Sequence, residues 1–414
     1  MNNRVVITGL GAITPIGIGK EAFWNALVDG KNGIERITLF DPEGYPSQIA
    51  AEVKGFVPED FVDKKESKRM DRYTQFALAA AKMAIEDSKL DMNKVNRDRF
   101  GVFVGAGIGG IMTLHSQYEK FFDKGHSRIS PFFIPMIIPN IAAGHISIDL
   151  KLHGPSICIA TACATGTNCI GEAFRTIKNG DADLILAGGT EASISQAPIA
   201  GFSAMKALCV DHNDDPSHAS RPFDKNRSGF IMGEGAGIVV LETLEHAKAR
   251  GAHIYAEIVG YGSNSDAFHI TSPAPHGEFQ AKCMQLAIDS ANLNPEEIDY
   301  INAHGTSTRM NDEGESEAIK TVFGEHAYKL SVSSNKSMIG HLLGAAGSIE
   351  CIATALTVEN NIIPPTINYE TPDEGMDLDY VPNKSKQKVV NAAISNSFGF
   401  GGHNACVVLK KYKD

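Results

Sequence analysis

The chain has 414 residues, 43% of them hydrophobic and 21% charged, and its formal net charge is −11. This length allows one large α/β body or two to three average domains. The negative charge argues against a nucleic-acid partner that needs a basic face over the whole protein. No stretch of the sequence has the apolar length that spanning a bilayer requires.

Seven cysteines are spread along the chain without paired or metal-type spacing. The opening MNNRVVITGLGAITPIG has no basic-then-apolar leader with a cleavage site. Both features are typical of a protein in a reducing compartment. We therefore expect a cytosolic protein with no metal site.

Helix and strand patterns alternate along the chain, and one pair is repeated. The copies are a helix at 82–90 with a strand at 100–105, and a helix at 285–293 with a strand at 298–303. Further strands are predicted at 183–188, 237–241, 256–260, 392–395 and 405–409. The repeat predicts two similar halves, 1–250 and 251–414, with a chance similarity as the alternative. Strands that alternate with helices favour largely parallel, buried sheets.

The segment around Cys163 predicts a nucleophile. The apolar run 157–160 predicts a buried strand, and apolar residues from Ile170 to Ile177 recur with the period of a helix that Gly180 would end. Cys163 would then lie on a sharp turn at a helix N-terminus, where unpaired N–H groups and the helix dipole favour an anion. Such surroundings lower the pKa of a thiol, so we expect a thiolate.

Polar residues in the second half cluster on glycine-rich turns, where α/β sheets usually present their sites. His304 follows a predicted strand in NAHGTST, and strand-like alternation would point Thr306 and Thr308 the same way. Lys336 and His341 share one loop before a helix whose apolar spacing repeats that of the helix after Cys163.

Two further features of the second half point to the same kind of chemistry. Lys336 has apolar neighbours and is predicted to pair with a carboxylate such as that of Glu350. The turn 396–404 is dense in glycine, so its exposed N–H groups could stabilise an oxyanion. A thiolate with two neutral histidines suits acyl transfer followed by stabilisation of an enolate.

Four motifs in this order resemble those of the β-ketoacyl-acyl-carrier-protein synthases. They are TACATG around Cys163, NAHGTST around His304, NKSMIGHLLGAAG around Lys336 and His341, and NSFGFGGHN around Phe400. The segments VVITGLGAITPIG, ADLILAGGTEA and RPFDKNRSGFIMGEGAG extend the resemblance to nearly the whole chain. The chain is most similar to synthase II, the elongating type. The resemblance implies a thiolase-like fold, with two βαβαβαββ halves in a five-layered αβαβα arrangement, and a homodimer.

The resemblance also implies a division of catalytic roles. Cys163 would carry the acyl chain as a thioester, with the backbone N–H groups of Cys163 and Phe400 as the oxyanion hole. His304 and His341 would hydrogen-bond the thioester carbonyl of malonyl-carrier protein while carbon dioxide leaves. Lys336 would hold the loop through Glu350. No resident cofactor is implied, because phosphopantetheine arrives on the acyl-carrier protein.

Further residues match the family's substrate-binding positions. The phosphopantetheine arm would be hydrogen-bonded by Thr306 and Thr308. The acyl pocket and its aromatic gate would be formed by Ile108, Phe133, Phe202, Phe398 and Phe400. Pro198 lies where the family often has a small glycine, which bears on the depth of the pocket.

The carrier protein is an acidic helical partner in this family, and a local basic surface would receive it. The candidate residues are Lys64, Lys65, Lys68, Arg69, Lys124, Arg128 and Lys206. Contacts of this kind mainly raise the association rate and weaken with salt.

Other functions fit the sequence less well. A polyketide ketosynthase shares the cysteine and two histidines, and a free-standing chain with no acyltransferase segment favours fatty-acid elongation over it. A chain-length factor, a catalytically inert subunit of the same fold, lacks the nucleophile that Cys163 provides. A priming synthase would have asparagine in place of His341, and a cysteine hydrolase would give the second histidine no role.

Overall fold

The computed structural model describes residues 3–413. The strands are β1 (Val5–Thr14), β2 (Gly17–Ile18), β3 (Glu35–Arg36), β4 (Ile49–Ala50), β5 (Phe100–Gly105), β6 (Ser156–Ile157), β7 (Leu184–Glu191), β8 (Gly235–Thr243), β9 (Ala256–Ser265), β10 (Tyr300–Asn302), β11 (Ser331–Ser333), β12 (Ile362–Ile363), β13 (Lys386–Gln387), β14 (Ala392–Gly399) and β15 (His403–Lys410). The helices are α1 (Lys20–Val28), α2 (Lys64–Ser67), α3 (Arg72–Ser88), α4 (Ile111–Lys124), α5 (Phe133–Ile137), α6 (Ile141–Leu150), α7 (Thr165–Lys178), α8 (Gln196–Ala204), α9 (Leu244–Ala249), α10 (Glu278–Ser290), α11 (Arg309–Phe323), α12 (Lys336–Ile339) and α13 (Ala346–Asn360). Among the described residues, no helix has the length and apolar character needed to cross a membrane.

The main sheet runs in the order β11-β10-β14-β15-β9-β1-β8-β7-β5-β6, and a short antiparallel pairing of Val5–Ile7 with β9 joins its two halves. Helices α3 and α6 cover the outer face of the first half, and α10 covers the outer face of the second with α11 beside it. Helices α7 and α13 lie between the two halves and contact both of them. This is the five-layered αβαβα arrangement, so the predicted fold is confirmed.

Strand pairing in the sheet is mixed, so the prediction of largely parallel sheets is wrong. The parallel pairs are β5–β6, β5–β7, β10–β11 and β10–β14, and the longer ladders β1–β8, β7–β8, β9–β15 and β14–β15 are antiparallel. Two local features cause this. The turn 400–402 joins β14 directly to β15 as an antiparallel hairpin, and β1 inserts between β8 and β9 and runs antiparallel to both.

The strand predicted at 157–160 is also different in the structure. Only Ser156 and Ile157 form β6, which is the end strand of the sheet and pairs with β5 alone. The Ile157 side chain is 45% exposed. Apolar side chains occur both in buried strands and in edge strands whose free edge is covered. Apolar composition alone therefore did not distinguish the two.

Small residues let α3 lie directly on the sheet. Asp71 caps the helix through the N–H of Tyr73, and Lys89 ends it with a left-handed φ of 54°. On β1, a Cβ at Gly11 would overlap the carbonyl of Ala80 in the helix. The glycine thus permits a close approach that buries the alanine face of α3.

Matching turns precede the two central helices. Ala162 and Leu343 both have a φ of 49°, and each opens a three-residue 3₁₀ turn that leads into α7 or α13. The helices then cross closely, because a Cβ at Gly166 would stand 2.7 Å from the N atom of Ser348. These matched turns support the internal duplication, and the boundary near residue 250 stays a prediction.

Candidate active site

Cys163 lies in the turn before α7, at the place that the sequence predicted. The residue before it, Ala162, has a φ of 49°, so the chain turns sharply and presents the sulfur to a cavity. The predicted helix is confirmed as α7, and Gly180, with a φ of 86°, follows its end. The Cys163 side chain is buried.

Two histidines from the second half meet this sulfur. The Nε2 atom of His341 lies 3.0 Å from Sγ of Cys163, and the rings of His304 and His341 pack edge to face with centroids 5.3 Å apart. Both histidines are buried. The three residues that the sequence singled out are therefore brought together, although they lie on turns of different halves.

A buried carboxylate holds the backbone of the His304 turn. The backbone N–H groups of His304 and Gly305 each donate to the carboxylate of Glu315 at 2.8 Å. Glu315 is fully buried, and burial raises its pKa to about 7. The isolated NAHGTST motif gave no sign of this carboxylate, because Glu315 lies on α11, 11 positions after His304.

Hydrogen bonds at Nδ1 assign the tautomers of both imidazoles. Nδ1 of His341 accepts the Leu343 N–H at 3.3 Å, and Nδ1 of His304 lies 3.4 Å from Nζ of Lys336, which can only donate. Burial and the positive charge of Lys336 hold the pKa of both histidines well below its usual range. Neutral rings that accept at Nδ1 carry their proton on Nε2. The pair therefore offers two N–H donors next to the sulfur.

The same assignment bears on metal binding. Single ligand atoms of Cys163, His304 and His341 lie within 4.8 Å of one another, which a metal ion could bridge. A protonated Nε2 has no lone pair to give, and a tautomer with its proton on Nδ1 would place it against the Lys336 ammonium or the Leu343 N–H. The tautomers thus suit hydrogen-bond donation better than metal ligation.

Lys336 forms an ion pair with Glu350, as the sequence predicted. Nζ of Lys336 donates to Oε1 of Glu350, and each residue is only 1% exposed. Burial raises the pKa of the Glu350 carboxyl, and the charge of Lys336 opposes that rise. The pair ties α12 to α13 and keeps a positive charge behind His304.

Several buried oxygen atoms beside this pair accept no hydrogen bond within residues 3–413. They belong to Asn302, Ser395 and Asn396, and to Oε2 of Glu350. Buried polar atoms of this kind are ordinarily satisfied by water or an ion. These oxygens are therefore the atoms of this region that could hold a small cation.

The expected thiolate at Cys163 is a prediction that the structure contradicts. Burial raises the pKa of the Cys163 thiol to about 12, while the charge of Lys336 and the Phe400 N–H lower it. The sequence showed the helix terminus but not the depth at which the sulfur is buried. The charged form must therefore gain its stability within the site, from the donors that surround the sulfur.

The glycine-rich turn between β14 and β15 brings a backbone N–H to Cys163. The N–H of Phe400 hydrogen-bonds the sulfur. Gly399 packs on the cysteine turn so closely that a Cβ there would stand 3.1 Å from the N atom of Cys163. The Phe400 N–H thus lies beside the turn that carries Cys163.

A cavity of about 520 Å³ opens over these groups, with mostly apolar walls. The predicted residues on its wall are Ile108, Cys163, Phe202, His304, Thr306, Thr308, His341, Phe398 and Phe400. The rings of Phe202 and Phe400 lie 6.3 Å apart across it. A cavity of this kind suits an apolar chain attached to the sulfur.

Phe133 and Pro198 do not reach the wall of this cavity. Phe133 lies on α5, where its ring packs against Tyr118 with centroids 6.4 Å apart. Pro198 lies half-buried on α8. Their role in acyl binding therefore stays a prediction that a single chain does not support.

Thr306 and Thr308 face the cavity together, with their hydroxyl oxygens 2.8 Å apart. They do so through a turn and not through strand alternation, because Ser307 between them has a φ of 71°. Arg309 follows directly and lines the mouth of the cavity. Sequence reasoning missed Arg309, although its position next to NAHGTST was a usable signal.

A second missed feature is the pair of Asp266 and Asn404 in the cavity wall. Nδ2 of Asn404 donates to Oδ1 of Asp266 at 2.7 Å, and the Asp266 N–H donates to the carbonyl of Gly402. The pair braces the glycine-rich turn. Its two members lie 138 positions apart, so no local pattern could have joined them.

The predicted basic residues lie on three separate segments. Lys64, Lys65, Lys68 and Arg69 lie on α2 and the turn after it, Lys124 and Arg128 lie at the end of α4 and beyond, and Lys206 follows α8. Lys206 lines the cavity mouth. Arg69 is engaged within the chain, with Glu66 at 2.8 Å and the ring of Phe132 at 4.7 Å.

The fold and the cysteine–histidine site define a condensing enzyme of the ketosynthase class. Residues 2–247 match the family described as "Beta-ketoacyl synthase, N-terminal domain", and residues 255–370 match its C-terminal domain. The chain belongs to the β-ketoacyl synthase family.

Relatives of known name agree with this membership. The chain is 53% identical to the 3-oxoacyl-[acyl-carrier-protein] synthase 2 of Staphylococcus aureus strain COL, over 100% of this chain and 99% of the relative. It is 52% identical to the protein of the same name from Synechocystis, over 99% and 98% of the two chains. A solved type II polyketide ketosynthase, in complex with its acyl-carrier protein, has a TM-score of 0.93 and 36% identity over both full chains.

Proposed function

We propose that this protein is an elongating 3-oxoacyl-acyl-carrier-protein synthase. It joins an acyl chain held on Cys163 to malonyl-carrier protein, with loss of carbon dioxide. The observation that carries the proposal is the meeting of the Cys163 sulfur with His304 and His341 under an apolar cavity of about 520 Å³. The names of the full-length relatives support it.

The first half-reaction transfers an acyl group to the enzyme. The Cys163 sulfur attacks the thioester carbonyl of acyl-carrier protein, and the carbon–sulfur bond to the carrier breaks. The carrier thiol leaves with the proton that Cys163 gives up. The N–H groups of Cys163 and Phe400 receive the negative oxygen of the tetrahedral intermediate.

The second half-reaction makes the new carbon–carbon bond. The bond between the malonyl methylene and its carboxylate breaks, carbon dioxide leaves, and the electron pair moves onto the thioester oxygen. The Nε2–H groups of His304 and His341 stabilise this enolate because donors already face the developing charge. The enolate carbon attacks the acyl carbonyl, and the Cys163 sulfur leaves as the 3-oxoacyl product forms.

Lys336 supports this step without touching the reacting carbons. Its ammonium faces Nδ1 of His304, which keeps the His304 proton on Nε2. The Lys336 charge is balanced by Glu350, so a buried cation is held without being left unpaired. These side chains supply the nucleophile and the donors, so we propose that the reaction needs no resident cofactor.

The acyl chain occupies the apolar part of the cavity. Each buried CH₂ contributes about 0.8 kcal/mol, so cavity depth ranks chain lengths. The thioester arm reaches the sulfur past the hydroxyls of Thr306 and Thr308. Lys206 and Arg309 at the mouth suit an acidic acyl-carrier protein, and a ketosynthase neighbour was solved with such a carrier bound.

We also propose that the protein is a homodimer in the cytoplasm. The outer edge of β6 is open in the described chain, and apolar residues Ile134, Ile148 and Ile157 are 57%, 74% and 45% exposed. A second copy that covers this edge would bury them. Seven free cysteines suit a reducing compartment.

The test supplies acyl-carrier proteins of graded chain length with malonyl-carrier protein and weighs the products. A 3-oxoacyl thioester two carbons longer, with one carbon dioxide per turnover, is expected. A polyketide ketosynthase is the second candidate, supported by the hexaketide-bound neighbour. Such an enzyme would condense repeatedly on one acyl chain. A series of products extended by several two-carbon units would therefore overturn fatty-acid elongation.

A further inference from the structure

We propose that Glu191 is a positioning residue, whose buried carboxylate ties the Gly107–Ile108 wall of the acyl cavity to the Gly344 turn that follows His341. This inference rests on the proposed function only in calling the cavity an acyl site. Glu191 takes no part in the mechanism above.

The contacts of the carboxylate connect three segments. Oε2 accepts the N–H of Gly107 at 2.9 Å, of Ile108 at 3.2 Å and of Gly344 at 3.2 Å. Oε1 accepts the hydroxyl of Ser193 at 3.0 Å. Charge-assisted bonds of this kind are roughly twice as strong as neutral ones. One side chain at the end of β7 thus holds two loops that the chain itself does not connect.

The Glu191 carboxylate is tightly packed against its neighbours. Glu191 is fully buried. A Cβ at Gly107 would stand 2.8 Å from Oε2, and a Cβ at Gly344 would stand 2.9 Å from the same atom. At Gly344 the backbone N atom of Gly107 would be closer still, 2.3 Å from the added Cβ, so the two glycines also pack against each other. The donors to the carboxylate are uncharged groups.

The held segments are the walls of the reactive cavity. Gly107, Ile108 and Leu343, which is next to Gly344, all line it. The N–H of Leu343 also donates to Nδ1 of His341, so the same turn orients a catalytic imidazole. A shift of this turn would change both the room for the acyl chain and the aim of His341.

The carboxylate also acts on Cys163 through its charge. Burial raises the pKa of Glu191 to about 7, and its negative charge raises the pKa of Cys163. The other charged groups that face Cys163 are Lys336 and Glu350, and the histidines beside it are neutral. Loss of the Glu191 charge should therefore make the thiol easier to ionise.

Two variants of equal length separate the acceptor from the charge. Glu191→Met removes the acceptor oxygens, whereas Glu191→Gln keeps one oxygen for the backbone N–H groups and removes the charge. We measure acylation of Cys163 by acyl-carrier proteins of graded length. Glu191→Met should raise KM for the longest chains at least tenfold relative to the shortest, with a smaller change in kcat, and Glu191→Gln should restore the length profile to within about threefold.

The effect of the Glu191 charge on Cys163 is measured separately, from the pH dependence of Cys163 alkylation by iodoacetamide. Cys163 in the Glu191→Gln variant should be alkylated at lower pH than Cys163 in the parent protein. Glu242→Gln is the matched control, because Glu242 is also fully buried but pairs with Arg250 away from the cavity. In this variant, neither the chain-length profile of acylation nor the pH profile of alkylation should change. If Glu191→Met does not fold, Glu191→Asp replaces it, since the shorter side chain cannot reach both loops.

The outcomes are distinct from those that test the proposed function. A parent protein that forms no 3-oxoacyl product would overturn the proposed function, while acylation and alkylation of Cys163 would still report on Glu191. An unchanged length profile in Glu191→Met, or equal profiles in Glu191→Met and Glu191→Gln, would overturn the positioning role.

Discussion

The Nε2 atom of His341 lies 3.0 Å from Sγ of Cys163, although 178 positions separate the two residues in the chain. Because Nδ1 of His341 accepts the Leu343 N–H, the ring faces the sulfur with a donor. We therefore propose that His341 supports a negative sulfur or oxygen and does not act as the resting base.

The division of labour between sulfur and imidazoles can be separated by mutation. Cys163→Ala should abolish acylation of the enzyme and still decarboxylate malonyl-carrier protein, because the enolate donors remain. His304→Ala and His341→Ala should each slow decarboxylation by about 10²–10³-fold, the usual cost of one oxyanion donor. Mass spectrometry of the acyl-enzyme and release of labelled carbon dioxide measure the two steps. Loss of acylation in both histidine variants would contradict this assignment.

The ionisation of Cys163 should be visible in its alkylation rate. With the thiol pKa raised to about 12, the thiolate fraction grows about tenfold for each pH unit below that value. The iodoacetamide rate at Cys163, followed by peptide mass, should therefore climb steadily from pH 7 to 9. A rate that is already level at pH 7 would mean that the donors around the sulfur outweigh its burial.

The buried pair of Lys336 and Glu350 should dominate the stability of the site. Lys336→Ala leaves a buried carboxylate unpaired, and such a loss costs about 3–5 kcal/mol in the free energy of unfolding. Urea denaturation measures it. The double variant Lys336→Met, Glu350→Gln should recover more than half of the loss, since neither side chain then carries a charge. A double variant no more stable than the single one would argue against electrostatics as the cause.

The close packing of the glycine-rich turn should be essential for acyl transfer. In Gly399→Ala the new Cβ would stand 2.9 Å from the Thr161 carbonyl oxygen and 3.1 Å from the Cys163 N atom. The turn must then move away, and we expect acylation to slow by about 10²-fold, close to the loss of an oxyanion donor. Gly201→Ala on α8 is the control, because its Cβ would meet no atom within 4 Å. Equal rates in the two variants would show that the packing is not limiting.

Docking of the carrier should depend on the cation at the cavity mouth. Lys206→Glu should raise KM for carrier-bound substrates several-fold at low salt and leave kcat nearly unchanged, because rim charges act mainly on association. Lys65→Glu with Arg69→Glu tests the more distant patch, where Arg69 is already paired with Glu66. Lys94→Glu, on a surface that does not line the cavity, is the control. An unchanged KM in the Lys206 variant would remove this residue from the docking surface.

Local patterns were enough to predict the elements that carry the chemistry. The spacing from Ile170 to Ile177 predicted α7, and small residues around Cys163 predicted the turn before it. Apolar neighbours of Lys336 predicted a buried ion pair, because a lone buried cation is too costly. The spacing that predicted α7 covers two helical turns, and Lys336 and Glu350 lie 14 positions apart.

The features that sequence reasoning missed depend on contacts between distant segments. Cys163 is buried by segments that are distant in the chain, including first-half residues of its core cluster and His341 and Phe400 of the second half. The raised pKa of its thiol could therefore not be read from its sequence neighbours. Glu315 and Glu191 reach their backbone partners from another strand or helix. Strand direction in the sheet likewise depends on where β1 inserts, which is a property of the whole fold.

The matched turns at Ala162 and Leu343 carry different residues at the same position. The residue after the first turn residue is Cys163, and the corresponding residue after the second is Gly344. In the first turn, this position carries a reactive side chain. In the second turn, it carries a glycine whose backbone N–H donates to the Glu191 carboxylate. The two matched turns therefore hold different parts of the site: the first presents the reactive sulfur, and the second holds the cavity wall through Glu191.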